Sequence, residues 1–286
     1  MQRSIPSYFV IVFGLLGLVL LLAAATSLPA QQQPRTYAGF DRNLYPGDDT
    51  LAALRRTFAF TGYWLNRPPG ETNNTWTGKR ELLLRHGFGF AVLFNGHIQK
   101  ELQAAQHPPA QLGAEEATLA IAAAKHEGFP PRTILFLDLE EGGRLLPEQA
   151  AYLFAWMDGV TAGGYRAGVY CSGIPVPDGP HQTITTAQDI TSRKGSRHVA
   201  LWVANDVCPP APGCTIPPRL PSAITSGTGT AILWQYAQSP RRKQFAASCP
   251  GYSMQDNECY APAKSIPPNL FLDLNTATSP DPSSGH

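Results

Sequence analysis

The sequence predicts an α/β chain closed into a (β/α)8 barrel of the TIM type, irregular in its last βα units and preceded by an N-terminal signal or anchor segment. Three observations carry this. Eight short runs of apolar, β-branched or aromatic residues recur between residues 37 and 275, each of the kind buried on both faces. Helix-patterned stretches separate most of them. Nearly every run ends in a polar or aromatic residue: Asp41, Tyr63, Asn95, Asp138 with Glu140, Tyr170, Asn205, Gln235 and Asp273. Periodicity alone allows an open doubly wound sheet. A barrel is favoured because its C-terminal strand ends meet at one mouth, where such polar residues have a use.

Residues 1–34 stand apart. Arg3 precedes an apolar run from Tyr8 to Ala25, followed by Ser27-Leu28-Pro29-Ala30 and three glutamines, the order of an export signal. The apolar part approaches the ~20 residues that span a bilayer, so an uncleaved tether through residues 5–28 is the competing reading. Both place the folded part, residues 35–275, outside the cytoplasm, as a secreted or periplasmic protein or one anchored to the inner membrane. Cysteine usage agrees: Cys208 with Cys214 and Cys249 with Cys259 sit close together in loops, and each pair could close a ring, other pairings remaining open. Cys171, at the end of an apolar run, reads as a buried free thiol. A formal net charge of +1 without a basic block gives no electrostatic case for nucleic acid. Neither CxxC spacing nor a paired-histidine motif appears, so no metal or cofactor is expected.

In order, Tyr37-Ala38-Gly39-Phe40-Asp41 is the first strand, and Asp48-Asp49-Thr50 caps a helix over 51–56. Residues 58–64 form the second strand, and turn residues fill 66–77 before a helix over 79–86. The third strand spans 88–95, and the Ala-rich stretch 113–127 is the clearest helix. Pro130-Pro131 then introduces Thr133-Ile134-Leu135-Phe136-Leu137, a buried strand that runs into Asp138, Glu140 and Glu141. Pro147 opens the next helix, to Gly159. Strands over 166–171, 198–204, 230–236 and 270–275 follow, with a weaker helix over 185–192. Residues 276–286, rich in Ser, Pro, Gly and Asp, read as a disordered tail.

Asp138 and Glu140 are two apart, so an extended chain projects them from one face. A carboxylate at the end of a buried strand is costly without a task or a partner. Alone, such an acid would as readily cap the next segment. With Asp41 and Asp273 at other strand ends, the acids face one pocket. Several carboxylates around one cleft with Trp and Tyr nearby point to glycoside hydrolysis, in which one acid donates a proton to the leaving oxygen and a second group answers the cationic transition state. Crowding raises the pKa of one of them. Where the sugar carries a 2-acetamido group, the Asp of Asp-x-Glu orients it while the Glu donates.

The set Gly39-Phe40-Asp41, Phe136-Leu137-Asp138-Leu139-Glu140, Leu201-Trp202-Val203-Ala204, Leu233-Trp234-Gln235-Tyr236 and Leu272-Asp273-Leu274-Asn275 resembles the family 25 glycoside hydrolases, the lysozyme-type muramidases. It is closer still to the glycoside-hydrolase-like barrels of exported bacterial proteins. The resemblance implies Glu140 as proton donor and Asp138 as its neighbour that positions the acetamido group or a water. It implies that Asp41 and Asp273 complete the acidic cluster. Tyr63, Trp202, Trp234 and Tyr236 become candidate platforms under sugar rings, each equally suited to barrel packing, and Gln235 and Asn205 join them as substrate-binding candidates. The chain departs from the muramidases at Ala204-Asn205-Asp206, where they usually continue to a tyrosine, and at Glu141, an extra acid after the donor.

The expected function is therefore an exported, muramidase-like hydrolase of peptidoglycan or a related N-acetylated polysaccharide, working as a monomer. Its first alternative is a non-catalytic glycan-binding barrel of the cell envelope. A third reading, an acidic mouth holding a cation such as calcium, ranks last.

Overall fold

The computed structural model describes residues 35–208, 216–238, 270 and 272–286. Among the described residues ten strands and six α-helices follow in this order: β1 Tyr37–Asp41, α1 Leu51–Arg55, β2 Phe60–Trp64, α2 Arg80–Arg85, β3 Gly89–Asn95, α3 Gln99–Ala104, α4 Pro109–His126, β4 Ile134–Leu139, α5 Pro147–Ala162, β5 Arg166–Ser172, β6 Val176–Pro177, β7 Thr183–Ile184, α6 Thr186–Arg193, β8 Ala200–Ala204, β9 Ala231–Ala237 and β10 Asp273–Ala277. Eight of the strands close a barrel in the order β1-β10-β9-β8-β5-β4-β3-β2, while β6 and β7 form a separate hairpin.

Register sets what faces the barrel interior. Asn95 pairs with Asp138, Asp138 with Tyr170, and Tyr170 with Trp202, so one face of β3, β4, β5 and β8 carries these four side chains inward. The other face of β4, Leu135, Leu137 and Leu139, is buried too. That double burial is why β4 reads as an unbroken apolar run, each leucine contributing about 1.5–3 kcal/mol. Outside the sheet, α4 and α5 pack through small residues. A Cβ on Gly113 would stand 2.2 Å from the Tyr152 carbonyl oxygen, and one on Gly159 would stand 2.6 Å from the Ala117 Cβ. On α6, the Thr185 hydroxyl accepts from the Gln188 N–H while the Gln188 side chain accepts from the Thr185 N–H, a reciprocal cap.

Four expectations need revision. The eighth barrel strand is β10, and it runs antiparallel to both β1 and β9. The barrel is thus seven parallel strands closed by one reversed strand, not eight βα repeats. The helix expected from residue 113 begins at Pro109, because proline at the first turn needs no N–H partner. Helix α3 was unforeseen; its Glu101 carboxylate turns back to the Ile98 N–H at 3.1 Å.

The fourth concerns residues 276–286. Thr276 and Ala277 belong to β10, and the rest crosses the N-terminal end of the barrel. There Ser283 stands between the starts of β3 and β4: its N–H donates to the Phe90 carbonyl, its carbonyl accepts from the Ile134 N–H, and its hydroxyl accepts from the Val92 N–H. The Asp281 carboxylate accepts from the Phe90 N–H at 2.9 Å. Gly89 permits this crossing, since a Cβ there would lie 2.1 Å from the Pro280 carbonyl oxygen. A polar, Pro-rich composition suggests disorder when read alone, but its short side chains here satisfy strand-end amides.

Among the described residues Cys171 and Cys208 are free thiols. Cys171 is buried as expected, and burial pushes its thiol up to about 12. Cys208 is not bridged: its Sγ accepts from Asn205 Nδ2 at 2.9 Å and donates to the Ser226 carbonyl at 3.4 Å. Cys214, Cys249 and Cys259, like the expected export segment, lie outside the described residues. Among the described residues no helix is long and apolar enough to cross a membrane.

Candidate active site

The site begins with Asp41, at the mouth end of β1 and only 8% exposed. Glycine on the neighbouring strand makes room for it: a Cβ on Gly62 would lie 2.7 Å from the Asp41 Cβ. Two amides hold its carboxylate. Gln235 Nε2 donates to Oδ1 at 3.0 Å and to Oδ2 at 3.2 Å, and Asn275 Nδ2 donates to Oδ1 at 2.5 Å. Each amide is fixed in turn by an aromatic donor. Trp202 Nε1 donates to Asn275 Oδ1 at 2.9 Å, and the Tyr170 hydroxyl donates to Gln235 Oε1 at 2.8 Å. An indole N–H can only donate, so it must face the amide oxygen, which turns the Asn275 NH2 toward Asp41. Burial nevertheless wins over these bonds. The Asp41 carboxyl is raised to about 6 by loss of water, with Gln235 and Asn275 pulling it the other way.

Asp273 is the register partner of Asp41, and Gln235 Nε2 also reaches its Oδ2 at 3.5 Å. Its place at the mouth has a different origin from the expected one. As the first residue of the reversed β10 it starts where parallel strands end. Asp138 is buried on β4, and Glu140 stands exposed just beyond that strand. The hydroxyl of Tyr170 senses the whole set. Its pKa is raised well above the ordinary tyrosine value first by burial, then by the charges of Asp41, Asp138, Glu140 and Asp273. Asp41, Asp138, Glu140 and Asp273 thus all act on this one tyrosine through their charge.

On the β3–β4 side the mouth opens into a cavity of about 270 Å³ that takes in Asp138, Glu140, Asn95, His97 and Arg67. His97 is raised by its bond to Glu116, at 2.8 Å, against the effect of burial. Glu141, the extra acid of the sequence, is spent on structure. Its Oε2 accepts from the Gln99 N–H at 2.7 Å and from Gln149 Nε2 at 2.5 Å, which ties the loop after β4 to α3 and α5.

Five of the predicted substrate-binding residues serve the scaffold instead. Tyr63 is fully buried on the helix-facing side of β2, packed against Trp76, Phe90 and Phe129 and hydrogen-bonded to Glu127. Trp234 and Tyr236 are buried together on the outer face of β9, with Trp234 Nε1 donating to the Asn205 carbonyl at 3.0 Å. Asn205 spends its NH2 on the Gly173 and Ser226 carbonyls, at 3.1 and 2.8 Å. Trp202 faces inward but is fully buried beneath the acids, edge-on to Phe136 and Tyr170. None is an exposed platform. Gln235 alone among the six lies in the acid cluster.

Residues outside the prediction complete the site. Tyr170 and Asn275 orient the network, and Trp64, on the same face of β2 as Gly62, lies near the mouth with its Nε1 donating to the Arg42 carbonyl at 3.1 Å. Alternation carried the signal: Asn275 is two residues from Asp273, and Trp64 two from Gly62. Among the described residues no three His, Cys, Asp or Glu side chains gather closely enough to hold a metal ion.

The fold has solved counterparts. An uncharacterized Bacillus stearothermophilus protein is 19% identical, with 84% of this chain and 95% of that one aligned at a TM-score of 0.51. The Clostridium perfringens spore cortex lytic enzyme SleM is 15% identical over 87% of this chain and 70% of its own, at 0.52. The catalytic domain of endolysin ply40, from a bacteriophage of Listeria monocytogenes, is 17% identical over 89% of this chain and all of its own, at 0.50. At these identities the likeness speaks to the fold. No curated protein sequence matches the chain. A family described as the Rv2525c-like, glycoside hydrolase-like domain matches residues 63–245, more than half of the sequence, and the chain belongs to that family.

Proposed function

We propose that the chain is an exported glycoside hydrolase that cleaves peptidoglycan or a related N-acetylated polysaccharide, as a monomer. One observation carries the reading: the register partners Asp41 and Asp273, with Asp138 and Glu140 at the end of β4, stand at one mouth of the barrel, Asp41 buried and Glu140 exposed on an open cavity. Glu140 is the proton donor to the leaving glycosidic oxygen. Asp138, two residues before it, orients the acetamido group or the attacking water. Asp41 and Asp273 hold the sugar and set the field at the mouth. Membership of the glycoside-hydrolase-like family supports this, as do the lytic enzyme and the endolysin among its structural counterparts.

The glycan-binding alternative uses the same mouth, and the burial of Tyr63, Trp202, Trp234 and Tyr236 removes these four as its aromatic platforms. The test is incubation of the exported domain with purified peptidoglycan, comparing wild type with Glu140→Gln. Release of reducing ends by the wild type alone supports the proposal, and equal release by both, or by neither, counts against it.

A further inference from the structure

A second cavity, of about 480 Å³, lies at the other end of the barrel, against the N-terminal starts of β5, β8 and β9. Its lining is one-signed: Arg132, Arg166, Lys194 and His198, with no carboxylate among them. Apolar residues, among them Ala167, Val199 and Ile232, share the lining. The neighbouring cations show the contrast. Arg193 is paired with Asp189 at 2.9 Å and Arg197 with Asp158 at 2.7 Å. No described carboxylate pairs with the four on the cavity. Lys194 sits at the C-cap of α6, where the helix dipole accounts for a cation, but Arg132, Arg166 and His198 lie outside helices.

Arg132 carries a second, independent mark. Its φ is +69°, a left-handed conformation held by its N–H donating to the Gly164 carbonyl at 2.9 Å. Glycine would adopt that turn without strain, yet a long cationic side chain occupies it.

We propose that this cavity binds the phosphate group of a phosphorylated polyol or sugar. The guanidinium forks of Arg132 and Arg166 match a tetrahedral oxyanion, the Lys194 ammonium, which also donates to the Arg197 carbonyl at 3.0 Å, adds positive charge beside them, and the apolar part of the lining accommodates the carbon-bearing part. The volume falls within the ~300–1,000 Å³ of ordinary ligand pockets. The same chemistry is offered by a soluble phosphate ester and by a phospholipid headgroup. The site lies away from the acidic mouth and does not depend on the proposed hydrolase activity.

The test uses the full chain in 50 mM salt (about one Debye length of 14 Å) with sn-glycerol 3-phosphate as the titrant in calorimetry. Saturable 1:1 binding is expected, weakened at least tenfold in the Arg132→Gln, Arg166→Gln double variant. A second variant, Arg132→Gly, relieves the left-handed strain, so it should keep an undiminished melting temperature and still lose affinity. Phosphatidylglycerol vesicles, against phosphatidylcholine controls, distinguish the sources. Co-sedimentation lost in the double variant assigns a headgroup, and binding of glycerol phosphate without co-sedimentation assigns a soluble ester. No saturable binding of either probe, or equal binding by wild type and double variant, overturns the proposal.

Discussion

Asp41 and Glu140 share one mouth, yet Asp41 is 8% exposed and wired to two amides, whereas Glu140 is exposed on an open cavity. Around Asp41 every layer is specified: an aromatic donor fixes an amide, and the amide fixes the acid. Around Glu140 the chain leaves room. A substrate has access to Glu140, while Asp41 acts on it through field and position. The difference separates what the mouth is built from and what it works with.

The largest effect that would sharpen this contrast is on turnover. Glu140→Gln should lower glycan cleavage at least about 100-fold, the usual loss on removing a general acid. Because the side chain is exposed, urea unfolding of the same variant should shift by less than about 0.5 kcal/mol. A break in the wired half should do the reverse. Asn275→Leu leaves Trp202 Nε1 without its acceptor and removes a donor from Asp41, and should cost about 3 kcal/mol in urea unfolding.

Next comes a pH effect. The Asp41 carboxyl is raised from 3.8 to about 6, so the folded chain binds that proton more tightly than the unfolded one. Its stabilising contribution is complete below 3.8 and is lost as pH rises through about 6, in total about 3 kcal/mol. Asp41→Asn should remove that slope, measured by denaturant unfolding at intervals between pH 4 and 7. The smallest effect falls outside the mouth. Tyr63→Phe should cost about 1 kcal/mol through its lost bond to Glu127 and leave kcat/KM for glycan unchanged. A raised KM would restore Tyr63 as a sugar platform.

Strand identity and the polar ends of β1 and β4 were legible because both follow from local pattern: apolar runs, their polar ends, and side chains alternating between faces. Alternation could also have sorted the aromatics. Asp41 and Gly62 face inward together, so Trp64 shares their face and Tyr63 does not. Strand direction was not legible. Asp273 was expected at the end of a parallel strand and instead begins an antiparallel one, a choice that β-propensity does not encode. The tail misled for a related reason. Its residues cannot form a core of their own, and only the tertiary gap between β3 and β4 gives Ser283 its partners.

A carbon-13 carboxyl titration of the folded protein would test most directly whether the acids share one water-poor basin. An Asp41 midpoint near pH 6, displaced in Asn275→Leu, is the predicted result. A midpoint near 3.8, unmoved by that substitution, would mean that Asp41 is solvated and that the mouth is not built as described.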